Sequence, residues 1–99
     1  MHHVDSFWRV APFTLRVRFD DGHSQVIDFR PVLKGELFGP LRDRALFDQV
    51  ALDQEARTLV WPNGADFDPA TLYHWADRGP QLAELAATWT PARAHEGRR

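Results

Sequence analysis

From Phe13 to Phe19 the chain alternates strictly. Phe13, Leu15, Val17 and Phe19 are apolar, and Thr14, Arg16 and Arg18 between them are polar. A period of two sends one set to a buried face and the other to water, which is the pattern of a half-buried antiparallel strand. Asp20-Asp21-Gly22 then turns the chain. The apolar pattern sets the register, because a slip of one residue moves every side chain to the wrong face. A three-residue loop with Gly22 in the left-handed region pairs Phe19 with His23, Leu15 with Ile27 and Phe13 with Phe29. A two-residue loop would set Arg16 against Ile27 and mix the faces. The longer loop is therefore expected, with Arg16, Arg18, Ser24, Val26 and Asp28 on the outer face.

A second informative stretch runs from Leu59 to Tyr73. Thr58 to Trp61 is β-branched and aromatic and reads as a strand. Pro62 lacks a backbone donor and ends the ladder. Asn63-Gly64 is a turn signal. Asp68-Pro69 reads as a helix start, with Asp68 as N-cap and Pro69 at the first helical position. Asp66 lies just before that terminus. Gly79 is expected to stop this helix and Pro80 to open a last one, with Leu82, Leu85, Ala86 and Trp89 along one stripe.

The residues Val60-Trp61-Pro62-Asn63-Gly64-Ala65-Asp66, then Asp68-Pro69 and Leu72-Tyr73, resemble the hallmark of domain-of-unknown-function family 2442, a group of short bacterial proteins. Val17-Arg18-Phe19-Asp20-Asp21-Gly22 and Phe38-Gly39-Pro40-Leu41-Arg42-Asp43 resemble two further family segments, so the likeness covers Val4 to Trp75. It implies a small α+β fold, no established activity and no known catalytic residues. Some relatives are fused to a helix-turn-helix domain, a pattern missing from these residues. Others look like products encoded beside another small protein, as in toxin–antitoxin pairs.

Elsewhere the signals are local. Val4 to Val10 reads as a first strand, broken by Ala11-Pro12. Asp5 and Arg9 share a parity with Phe7, which leaves its buried side open. Pro31 to Leu33 is expected to form one helical turn that Gly35 ends. Leu37-Phe38 is expected to anchor the loop to the core. Asp43 is expected to cap a helix over Arg44 to Gln49, with Leu46, Phe47 and Val50 inward. Val50 to Asp53 is a further strand, joined through Gln54 to Arg57 to the Thr58–Trp61 strand.

Composition narrows the class. With 43% hydrophobic residues, four Trp and seven Phe in 99 residues, the chain is a folded globule. One domain over 1–90 and a flexible tail over 91–99 are expected. The formal charge is −2, but Pro91–Arg99 carries Arg93, Arg98 and Arg99 against Glu96, so the tail is +2 and the rest −4. A body of that sign binds phosphate backbones poorly. There is no Cys, hence no disulfide or thiolate chemistry. No apolar run approaches a membrane span of roughly 20 residues, and the N-terminus does not read as a signal peptide. A cytoplasmic protein is expected.

No catalytic constellation stands out. The serines and threonines lie in no elbow motif. The five histidines show no metal-ligand spacing. Asn63, Asp66 and Asp68 offer too few oxygens for a calcium loop, so turn and cap roles are expected for them. No enzyme activity, cofactor or metal is expected. Arg16 and Arg18 form a possible basic strip, against the plainer reading of a solvated sheet face. Tyr73 is the expected exposed aromatic.

The expectation is thus a single α+β domain. A mainly antiparallel sheet of four or five strands carries short helices on one face. It acts as a non-catalytic binding module for a protein partner encoded nearby, in the manner of an antitoxin. The candidate partner-binding residues are Asn63, Asp66, Tyr73, Arg16 and Arg18. The alternative is an accessory domain of a DNA-binding regulator, although this chain alone is a poor nucleic-acid binder.

Overall fold

The computed structural model describes residues 2–89, and the expected tail over 91–99 lies outside them. Strands β1 (Val4–Ala11), β2 (Thr14–Phe19) and β3 (Ser24–Asp28) form an antiparallel meander. Strands β4 (Ala51–Asp53) and β5 (Thr58–Val60) form a separate hairpin. Between the sheets lie two 3-10 turns, Arg30–Val32 and Gly39–Arg42, and two single-turn helices, α1 (Gly35–Phe38) and α2 (Arg44–Phe47). Helices α3 (Pro69–Tyr73) and α4 (Trp75–Ala86) complete the α+β fold.

The five expected strands exist, but not as one sheet. The edge of β1 meets the second hairpin through a single ladder-like bond, Val4 N–H to the Arg57 carbonyl at 2.9 Å. Arg57 sits in the left-handed region, φ 56°, at the end of the tight β4–β5 turn.

The first hairpin has the expected register. Leu15 is opposite Ile27, the Phe19 amide donates to the His23 carbonyl, and Gly22 has φ +91°. Phe29 donates its amide to the Phe13 carbonyl just beyond the ladder. Phe13 itself is in the left-handed region, φ 58°, in the turn after Pro12. This conformation is uncommon for a bulky residue. Its ring is held against Phe47, with centroids 5.3 Å apart.

The buried face of β1, left open by its sequence, is settled by a bulge. The register shifts between Val4 and Ser6, so Val4 is buried and Phe7, of opposite parity, also packs on the core. Trp8 then points to the outer face and is 47% exposed.

The core is aromatic at its centre. Phe29 touches Phe47, Trp61, Phe67 and Trp75, with centroids between 5.4 and 5.9 Å. Val32, Leu33, Leu41 and Leu72 from the helical side close this core over Leu15, Val17 and Ile27. Two buried donors are satisfied by backbone: the Trp61 indole N–H to the Phe47 carbonyl at 2.9 Å, and the Thr58 hydroxyl to the Phe67 carbonyl at 2.6 Å.

Several local expectations are corrected. Gly35 does not end a helical turn but begins α1, at φ +80°. Leu37 is exposed, and Phe38 alone anchors that segment. Asp43 caps as expected, accepting from the Ala45 amide at 3.0 Å, but α2 ends at Phe47. Asp68 occupies the N-cap position of α3 without any side-chain cap bond.

The helix expected to stop at Gly79 breaks earlier, at His74, and α4 runs through Gly79 and Pro80. Gly79 is there for space. A Cβ on it would lie 2.5 Å from the Trp75 indole Nε1. Pro80 removes one hydrogen bond from the second turn of α4, whose remaining turns carry the helix on.

Candidate functional site

Three segments meet to form an open apolar groove. Phe38 comes from α1, Asp66-Phe67-Asp68 from the segment leading into α3, and Arg78, Gln81, Leu82 and Leu85 from α4, with Trp89 beyond it. The groove has a volume of about 470 Å³. Its floor is a stack of rings: Phe38 lies 4.8 Å from Phe67 and 5.8 Å from Trp89, nearly parallel to both. Leu85, expected on the inward stripe, is 56% exposed instead and forms part of the wall.

The wall nearest α3 is acidic. Asp66 and Asp68 are exposed while Phe67 between them is buried, the alternation of an extended strand. Asp66 bridges Val60 through its backbone, and Asp68 has extended dihedrals, φ −60° and ψ 132°. Both carboxylates therefore project to one side, and neither forms an ion pair among the described residues.

The other residues singled out from the sequence lie elsewhere. Asn63 is a brace: its side-chain amide donates to the Leu37 carbonyl at 2.9 Å, and its oxygen accepts from the Ala65 amide at 3.1 Å. Gly64 beside it has φ +91°. Tyr73 turns toward the first hairpin, where its hydroxyl donates to Asp21 Oδ2 at 2.7 Å. Its ring stacks on His2 at 3.8 Å and tilts against His23 at 4.6 Å. The N-terminal histidines are tied down: His3 Nδ1 lies 3.1 Å from Asp20 Oδ2. Of the trio Asn63, Asp66 and Tyr73, only Asp66 lines the groove.

The Tyr73–Asp21 bond also sets charge. The tyrosine hydroxyl, followed by the His23 amide, holds the Asp21 carboxyl below the usual aspartate range. The same bond raises the Tyr73 hydroxyl above the usual tyrosine value. Asp28 is held low by the Arg30 guanidinium, which grips both carboxylate oxygens.

Arg16 and Arg18 stand on the outer sheet face. Cross-strand rows there read Trp8–Arg16–Val26 and Ser6–Arg18–Ser24. The Arg16 guanidinium lies 5.9 Å from the Trp8 ring centre, and neither arginine forms an ion pair among the described residues. Trp8 was not legible as part of this face, because the bulge that turns it outward leaves no mark in the apolar pattern. Among the described residues, no group of three or more His, Asp or Glu is placed to hold a metal ion. No helix among them is long and apolar enough to cross a membrane.

Fold and groove together define a small α+β domain with antiparallel sheets and an open, acid-walled apolar cleft. The chain belongs to the family of proteins of unknown function DUF2442, whose model matches residues 4–78. No curated protein and no solved structure matches it.

Proposed function

We propose that this domain is a cytoplasmic, non-catalytic module that binds a protein partner, the product of a neighbouring gene, through the groove beside α4. One observation supports this reading above the rest. Leu85 is 56% exposed beside Phe38 and Trp89, against a wall whose two carboxylates form no ion pair among the described residues, Arg78 of the same groove included. Apolar anchors in a concave site with a polar rim are what protein interfaces use for affinity. Among the described residues of the groove, the Thr71 hydroxyl has no hydrogen-bonded base, the pairing that nucleophilic catalysis uses. Asn63 and Tyr73 serve as the frame, and Asp66 is the residue that selects a basic partner.

Co-expression with the products of adjacent small genes, followed by titration of the purified pair, tests this. Leu85→Glu and Asp66→Lys should each weaken the complex by roughly tenfold or more, with melting temperature nearly unchanged. A complex indifferent to both variants overturns the assignment of the groove. Turnover in a hydrolase screen that is lost on His74→Ala overturns the non-catalytic reading.

A further inference from the structure

The acidic wall of the groove and the outer face of the sheet match in charge and spacing. On β2, Arg16 and Arg18 are exposed and Val17 between them is buried. At the groove, Asp66 and Asp68 are exposed and Phe67 between them is buried. Extended backbone advances about 3.3 Å per residue, so each pair is spaced by roughly 7 Å on one side of its strand. Beside the arginines stands Trp8, 47% exposed, with Val26 beyond at 53%. Beside the aspartates lies the ring-floored groove of about 470 Å³. One surface offers a large apolar knob next to two cations, and the other a hollow lined by two anions and a single cation, Arg78.

We propose that the groove accepts the sheet face of a second copy of this chain, Trp8 entering the hollow and Arg16 and Arg18 meeting Asp66 and Asp68. This rests on the reading of the groove as a protein-binding site, and a second copy would compete there with the neighbouring gene's product. All four charged groups lack ion-pair partners among the described residues. Asp28, the acid expected on the sheet face, is already held by Arg30 and does not neutralise the arginines. A nucleic-acid strand is disfavoured on that face, since residues 1–90 carry a net charge of −4 and Trp8 is the one exposed large aromatic among the described residues. Exposed ion pairs contribute little, so the tryptophan supplies the affinity and the charges set the alignment. The two surfaces differ, so the contact is heterologous: after it forms, one copy keeps a free knob and the other a free hollow, and assembly continues into a closed ring or an open filament.

Sedimentation of the full chain across a concentration series is the test, with two charge-reversed variants. Arg16→Glu/Arg18→Glu makes both surfaces acidic, and Asp66→Arg/Asp68→Arg makes both basic. The wild type should gain mass with concentration, and each variant alone should lose that dependence while keeping its circular dichroism and melting temperature. An equimolar mixture of the two should assemble again, because each now offers the other a matching surface. A wild type that stays monomeric, variants that still assemble, or a mixture that does not recover each overturns the proposal. If the wild type is monomeric while a partner complex remains sensitive to Leu85→Glu, self-docking fails and the partner reading stands.

Discussion

The Tyr73 hydroxyl donates to the Asp21 carboxylate at 2.7 Å, joining the end of α3 to the tip of the first hairpin across 52 residues of sequence. A second tie runs alongside it, from the Gln25 side-chain amide to the Tyr73 carbonyl at 2.7 Å. The pair holds the helical half of the molecule on the sheet.

The sign of its pH dependence follows from the two shifts. Asp21 titrates lower when folded, so its contribution is present above the usual aspartate value of about 3.9 and is lost as pH falls through the lowered one. Tyr73 titrates higher when folded, so its contribution is full below about 10 and is lost as pH rises through the raised value. Urea midpoints should show wild type and Tyr73→Phe furthest apart between these limits. Their curves should converge at both ends. A gap of constant size from acid to alkali would mean that the bond to the Asp21 carboxylate is not the source of the stabilisation.

Gly22→Ala tests the hairpin loop. Gly22 has φ +91° and open space where a Cβ would go, so the penalty is backbone conformation alone. A loss of roughly 1 kcal/mol is expected. A neutral substitution by denaturant titration would contradict the left-handed assignment.

Thr58→Val keeps the shape of a buried side chain and removes its hydroxyl. The Phe67 carbonyl, which accepts that hydroxyl at 2.6 Å, would be left without its donor. A cost of about 1–3 kcal/mol is expected from chemical denaturation. Thr58→Ser, which restores the donor, should recover part of it. A Thr58→Val variant as stable as the wild type would show that the hydroxyl's bond to Phe67 contributes nothing.

These residues also mark what could be read in advance. The β2–β3 hairpin was legible because its alternation and its Asp-Asp-Gly loop impose the same register. The β1 face was not, since the bulge after Val4 changes parity within the strand. The single sheet expected from five strands is two, joined by the Val4–Arg57 bond, and no residue type near that junction marks where pairing stops. At the groove, Asp66 stood out in the sequence. Phe38, Leu85 and Trp89 did not, because their meeting depends on α4 continuing past a Gly-Pro pair that reads as a stop. Tyr73 looked like a free aromatic because its partner lies far away in sequence, at Asp21.

Helix α4 supplies a further test, since the Trp75 indole occupies the space a side chain at Gly79 would need, with Nε1 and Cδ1 2.5 and 2.7 Å from the site of a Cβ. Gly79→Ala should cost about 1–3 kcal/mol through overpacking, although alanine is the better helix former. Added to Trp75→Leu, the same change should become neutral or favourable, a coupling that a double-mutant cycle reads directly. Additive losses would show that the indole and the glycine do not compete.

In evolutionary terms, positions 75 and 79 are then expected to change as a pair. A lineage that keeps the tryptophan has glycine as its only choice one turn later. A lineage that loses the ring is released to place any good helix former there. Either change made alone passes through a less stable ancestor, since the indole stands over the glycine and also packs on Phe29 and Phe67.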